Sequence, residues 1–205
     1  MLTRHLVYGL SLLFLGSFVS PSQAADTSPE QSAFVSELAR SAILSVASEN
    51  VSSADREQRL AAILDKDFDM PRIATFVLGR YWQKATDAER QSFTTVYRDF
   101  TARVYSRRFA KYNGESFRIL GQRTESASDT VVYTEMNQPA SGPPLKVEWR
   151  VADSDGYRII DINVAGVSMA LAQRADFASF LQKNGGNLAD LVEHLQEKMT
   201  TLNSP

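Results

Sequence analysis

The 205-residue sequence contains no cysteine, which excludes disulfides, thiolate chemistry and cysteine-ligated zinc. A cysteine-free chain is stable in any redox environment, so the compartment has to be read from other features. Histidine is scarce, with two in all, and a zinc site would have to be built mostly from carboxylates, an unusual donor set. Ten glycines and seven prolines are too few for a collagen-like or low-complexity chain. Neither charge is in large excess, and a formal net charge of −2 is not the basic footprint of a nucleic-acid binder. There is no P-loop and no G-x-G-x-x-G run, so nucleotide binding has no support.

Only one long apolar run is present, from Leu6 to Val19, preceded by Arg4 and His5. A short basic start, an apolar stretch and small residues at Ser22 and Ala24 predict a secretory signal peptide over residues 1–24, cleaved after Ala24. The run is shorter than the roughly 18–20 apolar residues of a spanning helix. The expected product is an exported, soluble chain, 25–205, with a single histidine, His194. At roughly 100–200 residues per domain, it is expected to form one domain.

The first part reads as helical, over 28–112. Ser28, Pro29 and Gln31 form an N-terminal capping pattern, followed by Phe34, Leu38, Ala42 and Val46 at helical spacing. A second helix is expected from about Ala54 to Lys66. A third is capped by Asp69 and stopped by Gly79. Thr86–Glu89 is a capping box, opening a long helix to about Tyr112 with Phe93, Val96, Tyr97, Phe100 and Val104 on one face. Asn113-Gly114 is a turn, after which the period falls from 3.6 to 2. Four strands are expected within 115–164: Ser116–Gln122, Thr130–Met136, Leu145–Val151 and Tyr157–Val164. Asp153–Gly156 reads as a tight hairpin loop, making the last two antiparallel. Two helices, separated by Asn184-Gly185-Gly186, fill 168–202. Helices, a strand meander and more helices predict an α+β fold.

Candidate catalytic and metal groups are few. Gly166-Val167-Ser168-Met169-Ala170 imitates a nucleophile elbow, but its strand belongs to a hairpin and the only later histidine, His194, lies in a helix. Ser168 is better explained as a helix N-cap. Asp65, Asp67 and Asp69 imitate a calcium loop, yet Met70 and Phe76 stand where glycine and glutamate are needed. Asn50-Val51-Ser52 matches a glycosylation sequon, a motif short enough to recur by chance. The residues assign no catalytic group and no metal site.

Three blocks resemble one family. They are Asp67–Trp82 (DFDMPRIATFVLGRYW), Tyr157–Ser168 (YRIIDINVAGVS), and Gln173–Phe177 continued by Asn184-Gly185-Gly186, Leu188 and Leu191. In order and together they resemble the MlaC family, also called toluene-tolerance proteins. The segment Ser168–Leu171 with Asn184–Gly186 leans toward its hopanoid-associated branch. The resemblance implies a periplasmic lipid carrier with an NTF2-like fold, a curved sheet against helices. It implies phospholipid or hopanoid as cargo, no cofactor and no catalysis. It also implies two partners: an inner-membrane ABC transporter with an MCE-domain protein, and an outer-membrane lipoprotein complex.

A carrier of this kind needs an apolar cavity, because exposing acyl chains to water costs about 0.8 kcal/mol per methylene. On that reading Leu145, Val147, Trp149, Ile160 and Ile162 form a sheet wall, and Phe76, Trp82, Tyr97 and Phe100 a helical wall. Val167, Met169 and Leu171 edge the mouth. Arg80, Lys84 and Arg174 are the head-group candidates, since donors of this kind suit phosphate. Two other classes stay open: an enzyme on an NTF2-like scaffold, with Asp161 as its acid, and a non-lipid adaptor.

Overall fold

The computed structural model describes residues 29–47, 51–110, 116–137 and 143–202. The signal segment 1–24, the Ser28 cap, Asn50 of the sequon and the Asn113-Gly114 turn lie outside them.

Local chemistry places the helices. α1 (Pro29–Val46) buries Val35, Leu38, Ala42 and Val46, one stripe at helical spacing. α2 (Ser53–Asp67) starts one residue before the expected Ala54, because Ser52 Oγ accepts the Asp55 N–H at 3.1 Å. α3 (Met70–Leu78) is capped by Asp69, whose Oδ1 accepts the Arg72 N–H at 3.0 Å. Gly79, at φ +53°, ends it and leads into a 3-10 segment, Gly79–Lys84, which the periodicity did not reveal. α4 (Asp87–Phe109) opens on the reciprocal capping box of Thr86 and Glu89. Backbone and side-chain donors of Thr86 hold the Glu89 carboxyl below its usual range.

The strands form one antiparallel meander: β1 (Ser116–Thr124), β2 (Asp129–Asn137), β3 (Leu145–Asp153), β4 (Tyr157–Val164) and the short β5 (Val167–Ser168), paired in chain order. The first three run one or two residues past the expected ends; β4 has the expected bounds; β5 was not anticipated. α5 (Met169–Lys183) and α6 (Leu188–Thr201) follow, on either side of Asn184–Gly186. The fold is α+β, as expected; among the described residues it comprises six α-helices and a five-stranded open sheet.

Two bulges set which residues face inward. Ile119 pairs with Thr134 but Gly121 with Tyr133, so Leu120 is an extra residue in β1. Arg150 pairs with Asp161 but Val151 with Ile159, so Ile160 is an extra residue in β4. This corrects the sheet wall. Plain alternation put Ile160 beside Ile162; the bulge shifts the alternation, and fully buried Ile159 takes the inward place instead.

Helices cover the inward face. α1 packs on β1 and β2, while α2, α3 and α5 reach β4. The Asp69 N–H donates to the Ile159 carbonyl at 3.0 Å and pins the α2–α3 junction to the sheet. Tyr157 donates its hydroxyl to Glu30 Oε2 at 2.6 Å, tying α1 to β4 and pushing the tyrosine pKa up to about 12. On α4, Phe93 and Tyr97 stack at 5.5 Å, and Phe177 of α5 meets both edge-on.

Candidate functional site

The inward sheet face has two unlike halves. At one end Val151 and Ile159 are sealed, with 0–1% exposure, as is Val132 in the row next to them, directly opposite Trp149. At the other, Phe117, Ile119, Leu145, Trp149 and Ile162 are only half-buried, although they share the same face. Phe100, Tyr105 and Phe109, in the second half of α4, are half-buried too and pack on the same core. An apolar surface that touches the core yet stays partly open is what a greasy ligand requires.

Trp149 anchors this half. Its Nε1–H donates to Thr134 Oγ1 at 2.9 Å, and the Thr134 hydroxyl donates to the Val147 carbonyl at 2.9 Å. The indole's polar edge is thereby satisfied inside an apolar surface. Phe117 meets the ring edge-on at 6.3 Å.

The residues expected to line a pocket divide into three groups. Leu145, Trp149 and Ile162 share the half-open face, with Val147 buried among them at 4% exposure. Tyr97 belongs to the sealed aromatic cluster, and burial raises its hydroxyl pKa well above the usual value. Phe76, Val167 and Leu171 are exposed, Met169 and Trp82 half-buried. Val167 pairs with Val164, which pairs with Val147, so it carries the apolar row out to the sheet edge. Arg90 lies 5.5 Å over the Trp82 ring and donates to the Trp82 carbonyl at 3.0 Å.

The three head-group candidates are all on the exposed surface. The Arg80 guanidinium lies 5.0 Å over the Tyr81 ring, and that of Arg174 5.0 Å over the Phe76 ring. Among the described residues, neither they nor Lys84 form an ion pair.

Sequence reasoning missed Phe117, Ile119 and Thr134. Their period-2 spacing in β1 and β2 is the available signal, but which face it marks follows only from the pairing of β1 with β2 and of β2 with β3. A separate cleft of about 620 Å³ lies between α2 and the end of α4, lined by Arg56, Glu57, Arg103 and Arg107 among others. It lies away from the expected walls, and Glu57 pairs with Arg103 there.

The remaining chemical candidates have structural partners. Asp161 Oδ1 accepts the N–H groups of Ile162 (2.8 Å) and Ala170 (3.0 Å), and its Oδ2 accepts the Ser168 hydroxyl at 2.5 Å. Ser168 Oγ in turn accepts the Leu171 N–H at 3.0 Å, the N-cap expected of it. His194 stacks on Phe180 at 4.5 Å. Asp65 pairs with Arg98 at 2.6 Å, and Asp69 caps α3. Asp67 is half-buried; burial raises its pKa, with Lys66 and Arg158 opposing. Among the described residues, no three His, Asp or Glu side chains gather as a metal site.

The family model described as "MlaC protein" matches residues 35–197. The fold is also similar to the solved structure of a phospholipid-binding protein from Ralstonia solanacearum in complex with a phospholipid. The TM-score is 0.74 at 22% identity, covering 85% of this chain and 99% of that one.

Proposed function

The chain belongs to the MlaC family, and on that premise we propose that it is a periplasmic lipid carrier. It takes up the acyl chains of a phospholipid on the half-open sheet face and moves them through water without chemistry. The observation that carries this reading is the apolar surface around Trp149, in contact with the core yet incompletely covered. The similar Ralstonia protein, in complex with a phospholipid, supports phospholipid as the cargo class. The apolar run and small residues of segment 1–24 support export.

The physical logic is transfer free energy. Each methylene held away from water contributes about 0.8 kcal/mol, so a dry face of modest size retains a chain that water would reject. Ready opening of that face then releases the cargo. In this reading the donor and acceptor are an outer-membrane lipoprotein complex and an inner-membrane ABC transporter with an MCE-domain protein. Direction belongs to those partners, because a carrier alone equilibrates with whatever it meets.

Asp161 and Ser168 are engaged in capping α5, which favours a carrier over an enzyme on this scaffold. Native mass spectrometry of the chain from the periplasm of expressing cells, followed by lipid extraction, tests the proposal. A stoichiometric phospholipid adduct is the expected result. An adduct formed only after exposure to hopanoid vesicles would reassign the cargo. No adduct after incubation with either lipid would overturn the carrier reading.

A further inference from the structure

The α3–α5 contact carries an unusual surface. The Arg174 guanidinium lies over the Phe76 ring, 5.0 Å from its centre, and a Cβ on Gly79 would approach its Nη2 to 2.9 Å. The glycine therefore makes room for the guanidinium while the ring supports it. Phe76 is 42% exposed, Leu171, one turn before Arg174 on α5, 58%, and Val167 53%. These are three of the five large apolar side chains exposed among the described residues; Arg174 joins Phe76 to α5, with Leu171 three residues and Val167 seven residues before it in the chain. Arg80 adjoins Gly79 in the chain, and Lys84 ends the same 3-10 segment.

This surface is also cationic. Elsewhere Arg72, Arg90, Arg98, Arg118 and Arg150 each reach a carboxylate. Arg80, Lys84 and Arg174 have no such partner among the described residues. Asp176, also exposed on α5, is the nearest acid in sequence to Arg174.

We propose that this surface docks the protein on an anionic lipid bilayer. Arg80, Lys84 and Arg174 meet the phosphates of the bilayer's own head groups, and Phe76, Leu171 and Val167 enter the interface beside them. Unpaired cations next to protruding apolar side chains are the pattern of interfacial binding. Each such cation strengthens binding to an anionic leaflet about fivefold. A protein partner requires roughly 800 Å² of packed surface on each side, whereas the apolar part of this patch is three side chains, Phe76, Val167 and Leu171. Val167 also ends the apolar row that includes Val164 and Val147, so docking here sets that row against the membrane. In that last respect the inference rests on the carrier reading.

Vesicle sedimentation tests it, using the chain from the periplasm of expressing cells. Vesicles of phosphatidylcholine alone are compared with equal mixtures of phosphatidylcholine and phosphatidylglycerol. The expected result is binding to the mixed vesicles only, weakening as salt is raised. Arg80→Glu with Arg174→Glu should reduce that binding by about 25-fold or more, from two cations at about fivefold each. Arg174→Lys should retain most of it, and Lys146→Glu on β3 should leave it unchanged. A thermal melt confirms that each variant is folded, and Arg174→Gln replaces the double variant if that one is not. Equal binding to both vesicles, undiminished binding by the folded charge variants, or no binding at all would overturn docking; the last would leave an acidic protein surface as the occupant. Lipid extraction is read separately. Cargo without sedimentation defeats docking and leaves the carrier standing; sedimentation without cargo does the reverse.

Discussion

Trp149 on β3 donates its indole N–H to the hydroxyl of Thr134 on β2, 2.9 Å away. The two are diagonal neighbours, since Thr134 pairs with Val147 and Val132 with Trp149. The bond fixes the ring on the half-open face and leaves its surface free for apolar contact. Thr134→Val preserves shape but strands the N–H, and should cost about 1–3 kcal/mol. Urea unfolding measures the cost, and a changed tryptophan emission in the native state would report the released indole.

The two halves of the sheet face should answer differently to the same kind of change. Ile162→Ser, in the half-open part, should lower lipid loading strongly and stability modestly. Val151→Ser, at 1% exposure, should instead cost about 2–4 kcal/mol of stability. Val147 is 4% exposed, so Val147→Asp reports on folding rather than on cargo. Lipid content per folded protein, beside urea unfolding, separates the effects. Equal loading by folded Ile162→Ser protein would move the cargo off this face.

Asp161 should matter for structure. Asp161→Ala removes the acceptor for Ile162, Ala170 and Ser168, and the start of α5 loosens. A loss of about 2 kcal/mol is expected, as hydrogen bonds to a charged group are the stronger kind. Amide exchange should rise first near Ala170 and Leu171. Turnover of an isoprenoid or steroid-like ketone that vanished in Asp161→Asn would revive the enzyme reading.

Asp67 gives a pH test of definite sign. Burial raises its pKa, so its charge opposes folding at neutral pH. Asp67→Asn should therefore raise the melting temperature at pH 7. As pH falls through the raised value toward about 4, the wild-type carboxyl becomes neutral in the folded and then the unfolded state, and the difference should close. Melting curves of both proteins across that range check it. A gap that widened toward acid would refute the assignment.

Much of this architecture was legible in the sequence, and its legible parts are local. The Thr86–Glu89 box, the Asp69 and Ser168 caps, the Gly79 stop and the Asp153–Gly156 hairpin act over a few residues. Hydrogen bonds of such short span depend on residue type and spacing alone, which is why the element order could be read directly. The clean alternation of β3 likewise placed Val147, Trp149 and Val151 on one face. What tertiary structure alone decided depends on pairings between distant strands and helices. The bulges at Leu120 and Ile160 arise from register, and they put Ile159, not Ile160, inside. Tyr97 and Phe100 share an apolar face of α4, yet Phe177 seals the first while the second stays half-buried. Arg174 and Phe76, 98 positions apart, meet only because α3 and α5 pack together. Hydrophobicity marks a side chain for removal from water; the neighbours that remove it, completely or in part, belong to the fold.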